Sequence, residues 1–127
     1  LFERLRRGHA RLVREAPRPA LSRKLFARIH EAFGGELRFL FCGGAFVDPE
    51  RAQFFYDLGL PVAIGYGLTE ACTVISVNDL RPFRADSVGK VLPGVDLEIR
   101  ELEPSSGVGE IWVRGPTLMK GYLDDPE

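Results

Sequence analysis

Two short apolar runs, each spilling into glycine with a helix-length segment between them, constrain the fold of this chain most. Leu37 to Phe41 runs into Cys42-Gly43-Gly44-Ala45, and Val62-Ala63-Ile64 runs into Gly65-Tyr66-Gly67-Leu68-Thr69-Glu70. Runs this short and this continuously apolar read as strands buried on both faces, as in a parallel sheet. Between them Asp48-Pro49-Glu50 is a helix start: Asp48 caps, Pro49 suits the first turn, and Glu50 favours the positive dipole end. Phe54, Phe55 and Leu58 give that helix an apolar side, and Gly59 closes it. A strand-helix-strand crossover makes its strands parallel. Both glycine bends then lie on one sheet rim, where open α/β sheets bind ligands.

The flanks fill in the architecture. Phe2, Leu5, His9, Leu12 and Val13 predict a helix over residues 2–15, with Arg4, Arg7, Arg11 and Arg14 on another face and Pro17 and Pro19 ending it. Leu21, Leu25, Ile29 and Phe33 recur every four residues and predict a second amphipathic helix over about 20–33, stopped by Gly34-Gly35. Thr69-Glu70 opens a shorter helical segment, with Thr69 as its cap. Past residue 80 helical periodicity vanishes. Short strands are expected over 88–92, 95–101 and 110–114, with turns at Pro93-Gly94, Pro104-Ser105-Ser106-Gly107 and Gly115-Pro116. Val95, Leu97 and Ile99 alternate with Asp96, Glu98 and Arg100, which gives that strand one wet face, and Trp112 is expected in a core. The chain divides into an α/β portion, 1–80, and a β-rich portion, 81–127, with Arg81-Pro82-Phe83-Arg84 as linker.

A chain of 127 residues fits one domain or a piece of a larger one. It begins at Leu1 inside a helix pattern and ends at Asp124-Asp125-Pro126-Glu127 without a tail, which reads as a piece. Cys42 and Cys72 have no metal-ligand spacing and read as reduced, buried thiols of a cytosolic protein. No apolar run reaches the ~18 residues that span a bilayer. The net charge of −1 hides an asymmetry: residues 1–38 carry ten Lys/Arg and four Asp/Glu, residues 39–127 seven and fourteen. No aromatic residues interleave with those arginines, so the basic third reads as a solvated helix face and not a nucleic-acid surface. His9 and His30 read as structural or surface residues.

The two bends also carry chemistry. Without side chains, Gly43 and Gly44 let a flat ring or a phosphate approach the main chain. Tyr66 can stack on a base, Thr69 lies near a helix amino terminus that favours an anion, and Glu70 can hold Mg²⁺. Taken singly, Gly-Gly is commonly a tight turn, a Tyr between glycines is often structural, and Thr-Glu is usually a cap. Together they describe an adenine–phosphate–metal site. The pattern is not the dinucleotide fingerprint, and no Gly-Lys-Ser/Thr occurs.

Four stretches in order carry a resemblance: Phe41-Cys42-Gly43-Gly44-Ala45, Gly65 to Glu70, Ser87 to Val95, and Gly109-Glu110-Ile111-Trp112-Val113-Arg114-Gly115-Pro116 through Tyr122. The chain resembles the adenylate-forming superfamily of acyl-CoA synthetases, peptide-synthetase adenylation domains and luciferases. Within it, the arginine-rich helical lead-in ending Ala32 to Arg38 is most similar to the long-chain fatty acyl-CoA synthetases.

The resemblance implies a fragment of a large adenylation domain: part of an α/β subdomain, then short strands of a distorted β-barrel. It implies ATP-dependent activation of a fatty acid, with Mg²⁺, followed by thioester formation with coenzyme A. By position, Gly43, Gly44 and Ala45 line the adenine and acyl side and Tyr66 stacks on adenine. Thr69 binds phosphate, Glu70 holds Mg²⁺, and Gly65 and Gly67 admit the acyl carbonyl. The Ser/Thr/Gly-rich phosphate loop, the ribose-binding aspartate beyond Tyr122 and the catalytic-lysine domain lie outside this sequence, so the isolated piece is expected to be inactive. Relatives often carry Thr-Ser-Pro where this chain has Ala71-Cys72-Thr73, and Cys72 reads as a spectator. A stand-alone nucleotide-binding module, an interaction domain or a peptide-synthetase adenylation domain remain as rivals. An excised piece is expected to self-associate, and a fatty substrate makes peripheral membrane contact an expectation.

Overall fold

A computed structural model of the chain describes residues 1–14, 18–72, 74–102 and 106–124. Three helices come first: α1 (Phe2–Val13), α2 (Pro19–Leu25) and α3 (Ala27–Ala32). Then follow β1 (Leu40–Cys42), α4 (Pro49–Asp57), β2 (Val62–Tyr66), a 3₁₀ turn (Thr69–Ala71), β3 (Ser76–Val77), β4 (Lys90–Val91), β5 (Asp96–Glu101) and β6 (Gly109–Arg114). β1 to β4 form one sheet in that order, and β5 and β6 form a separate hairpin.

The strand-helix-strand unit is as expected. β1 and β2 are parallel, with Leu40 opposite Val62 and Cys42 opposite Ile64. Asp48 Oδ1 accepts from the Arg51 amide at 3.0 Å, capping α4, and Gly59 follows its end with φ +80°. Ala52 of α4 packs on Val62 and Ile64, joined by Phe55 and Val47. β1 is less covered than the pattern predicted: Leu40 and Cys42 are half-buried and Phe41 is 55% exposed. The reason is positional, because among the described residues β1 is the edge strand of its sheet.

The helical lead-in departs further. α1 buries only His9 and Val13. The expected helix over 20–33 breaks at Phe26 (φ −119°, ψ 36°), and its buried stripe is Ser22, Phe26 and His30, one position on from Leu21, Leu25 and Ile29. Polar partners decide this phase. His9 donates from Nδ1 to Asp57 O (2.6 Å), its Nε2 meets Ser22 Oγ (3.0 Å), and His30 donates from Nε2 to Leu58 O (3.0 Å). The three helices are thereby pinned to the end of α4. Arg6 adds an ion pair to the buried Asp57 carboxylate at 2.5 Å. Pro19 opens α2, while the proposed stop at Pro17 lies outside the described residues.

Past residue 80 the sheet continues. β4 pairs antiparallel with β3, which pairs antiparallel with β2. Arg81 to Arg84 is well anchored: Phe83 stacks on buried Tyr56 at 4.4 Å with rings 4° apart, and Asn78 Nδ2 donates to Arg84 O. β5 and β6 pair over six residues, but no barrel closes among the described residues. The hairpin is wet on both faces, with Ile99 62% exposed. Trp112 is not in a core: Arg100 lies 3.6 Å over its ring and its indole donates to Glu110. Part of the turn at Pro104-Ser105 lies outside the described residues.

Candidate active site

The two bends meet. A cleft of about 490 Å³ opens at the carboxyl ends of β1 and β2, within the size range of small-molecule sites. Gly44, Ala45 and Phe46 form one side, Ile64, Gly65, Tyr66 and Gly67 the floor, and residues 85–88 the far wall. The glycines divide their work. Gly43 lets the strand ends close up, since a Cβ there would stand 3.3 Å from Gly65 O. At Gly65 the space a Cβ would take is held by the Phe41 ring, whose Cζ would lie at 2.8 Å. Gly44 has φ +76° with nothing within 4 Å, so its backbone is open.

Gly65 and Tyr66 belong to β2 itself and are not a free turn. Gly65 opposes Val77 and Tyr66 opposes Ser76. The rim is held in register by a buried amide: Asn78 Oδ1 accepts from the Ile64 amide at 2.7 Å, and the Asn78 amide donates to Ile64 O at 3.0 Å. Asn78 was not singled out in the sequence, where a lone polar residue beside Asp79 gives no signal.

Gly43, Thr69 and Glu70 do not line the cleft. Leu68 is extended and carries the chain out of β2 to the 3₁₀ turn. Thr69 is exposed and is not the cap; Leu68 holds that position, with no side-chain bond. A single turn has little macrodipole, so Thr69 would meet an anion through its hydroxyl and local amides. The turn ends at Cys72, left-handed at φ 51° and exposed, which corrects the buried thiol; Cys42 is half-buried. Thr73 lies outside the described residues.

Glu70 has an unexpected partner. The Tyr122 phenol donates to Glu70 Oε1, and the Met119 amide donates to Glu70 O at 2.8 Å. The phenol lowers the Glu70 carboxyl below its ordinary value, and the same bond raises the phenol. Asp86, on the far wall, is lowered by bonds from Arg84 at 2.8 and 2.9 Å. As a hard oxygen donor, Glu70 fits Mg²⁺, which takes one or two carboxylates and completes its shell with water and phosphate. No larger cluster of acidic, His or Cys ligands occurs among the described residues. The far wall of residues 85–88 was missed as a site element, although 87–95 carried part of the resemblance.

A family model for "AMP-binding enzyme" matches residues 3–123. The chain belongs to the AMP-binding enzyme family. Among curated members, the 2-succinylbenzoate–CoA ligase of Lactococcus lactis is 36% identical over 97% of this chain and 26% of its own length. The long-chain-fatty-acid–CoA ligase 2 of Schizosaccharomyces pombe is 33% identical over 85% and 17%. Among solved AMP-binding structures, the o-succinylbenzoate CoA synthetase of Bacillus subtilis with its acyl-adenylate aligns with TM-score 0.59 and 27% identity, covering 80% of this chain and 23% of that one. A benzoate CoA ligase from Burkholderia xenovorans shares the fold at TM-score 0.61 and 22% identity, over 69% and 19%. The chain thus spans about a quarter or less of these relatives. No helix among the described residues is long and apolar enough to cross a membrane.

Proposed function

We propose that this chain carries the nucleotide and acyl cleft of an ATP-dependent fatty acid–CoA ligase. In the first step a carboxylate oxygen attacks the α-phosphorus of ATP and pyrophosphate leaves. In the second, the coenzyme A thiol, losing its proton, attacks the acyl carbonyl and AMP leaves. The observation that supports this reading is the convergence of Gly44-Ala45 and Gly65-Tyr66-Gly67 on one cleft. In it, Tyr66 stacks on adenine while Gly44 and Ala45 present backbone to the nucleotide, and Gly43, just outside the lining, contributes by letting the two strand ends close up. Gly65 and Gly67 border the acyl carbonyl, and Thr69 takes a phosphate at the outer end. Glu70 would hold Mg²⁺, which when bound neutralises charge on the phosphates.

Phe46, Val47 and Val88 make the walls apolar, which suits an alkyl chain. An aryl acid is the second reading, favoured by the Lactococcus relative's match over 97% of the chain. No lysine or arginine lines the cleft. Phosphoryl chemistry needs cations aimed at developing charge, so residues 1–127 alone form no acyl-CoA. Residues 1–80 and 81–127 are portions of two subdomains, with β4 of the second extending the sheet of the first. The whole protein works in the cytoplasm, with peripheral membrane contact through its substrate.

Carboxylate-dependent ATP–pyrophosphate exchange by the full-length protein tests this. Exchange with fatty acids of graded length, and none with benzoate or succinylbenzoate, is the expected result. Exchange with aryl acids alone refutes the fatty reading, and no exchange with any acid refutes the ligase.

A further inference from the structure

Tyr122 lies 52 residues from Glu70 in sequence, beyond the β5–β6 hairpin, yet its phenol is bonded to the Glu70 carboxylate. The segment reaches Glu70 by a second, independent contact, from the Met119 amide to Glu70 O at 2.8 Å. Residues 119–122 are thus a strap laid over the 3₁₀ turn. The backbone contact fixes where the strap sits, and the phenol acts on the carboxylate. Neither end is buried, so the bond does not serve to satisfy a desolvated group. Besides this phenol, the Glu70 carboxylate is bonded only by the backbone of Glu70 itself among the described residues.

We infer that Tyr122 is a positioning residue, fixing the Glu70 carboxylate through Oε1 for the divalent cation that accompanies the nucleotide. The inference rests on the Glu70 assignment made above. Carboxylates that ligate metals are themselves held by hydrogen bonds, and removing such a partner typically costs about 10–100-fold in metal affinity. The exposure of this pair places Tyr122 at the lower end, about 10-fold. The strap also ties the β-rich portion to the site: the hairpin's position determines whether Glu70 is held.

Tyr122→Phe removes the donor and keeps the ring, while the Met119 amide still docks the strap. In the full-length protein, calorimetric titration of ATP binding against Mg²⁺ reads the effect without turnover. Tyr122→Phe is expected to raise half-saturating Mg²⁺ by about 10-fold and to leave Mg²⁺-free nucleotide affinity and melting temperature unchanged. Glu70→Gln is expected to abolish the Mg²⁺ dependence, and the double variant to match Glu70→Gln. Unchanged half-saturation in Tyr122→Phe overturns the role of Tyr122, as does a fall in melting temperature with no change in half-saturation. Loss of Mg²⁺ dependence in Glu70→Gln alone then leaves the ligase reading standing. Absence of acid-dependent exchange in the unsubstituted protein removes that reading instead, while the Mg²⁺ titration still measures the hold of Tyr122 on Glu70.

Discussion

Gly59→Ala tests the joint between the helical lead-in and the sheet. Gly59 has φ +80°, and an added Cβ would stand 2.1 Å from Ser22 Cβ and 2.2 Å from Ser22 Oγ. Two costs follow. Holding an L-residue in the left-handed region costs about 1–2 kcal/mol. Forcing a methyl into a filled interior costs about 1–3 kcal/mol more. Ser22 cannot retreat cheaply, because it is fully buried and bonded to His9 Nε2 and to Arg18 O. The total is about 2–5 kcal/mol, a large share of the ~5–15 kcal/mol that holds an ordinary domain. Gly34→Ala is the control: φ there is +81°, but nothing lies within 4 Å. It pays the backbone cost alone. Urea unfolding compares the two, and amide exchange at Leu58 and Leu60, which donate to Phe54 O and Phe55 O, localises the loss. Equal shifts in both variants would refute the steric argument.

Two further outcomes are expected. Burial raises the Tyr56 phenol above its ordinary 10.0, partly offset by the charge of Arg81. The folded state keeps this proton while the unfolded chain loses it, so stability is whole below pH 10 and declines above it. Tyr56→Phe should flatten that alkaline decline in a urea series, at a cost of about 1 kcal/mol at neutral pH for the bond to Val13 O; an unchanged alkaline slope would count against the assignment. The isolated chain should self-associate through the hairpin face bearing Ile99 and Ile111, which are paired across the strands and 62% and 38% exposed. Ile99→Lys should lower the mass seen by light scattering, and a monomer at high concentration without the substitution would refute the idea.

The candidate site was legible where local chemistry is unambiguous. Asp48-Pro49 at one end and Gly59 at the other bound α4, because a cap, a proline and a left-handed glycine each have few uses. That bracket made β1 and β2 parallel neighbours and put Gly44 and Gly65 on one rim. The phase of α2 and α3 was not legible. Leu21 and Leu25 satisfy a helical period as well as Ser22 and Phe26, and hydrogen bonds from His9 and His30 to the end of α4 chose between them.

By itself, then, the sequence determined the strand-helix-strand unit, its glycine rim and the residue types along it, since each follows from interactions within a few positions. Only the tertiary structure decided that Phe41 fills the space beside Gly65, that β4 extends the sheet past residue 80, and that Tyr122 reaches Glu70. Those contacts join residues 24 to 52 positions apart, or strands paired across a loop, and no local preference encodes which distant partner a side chain will find.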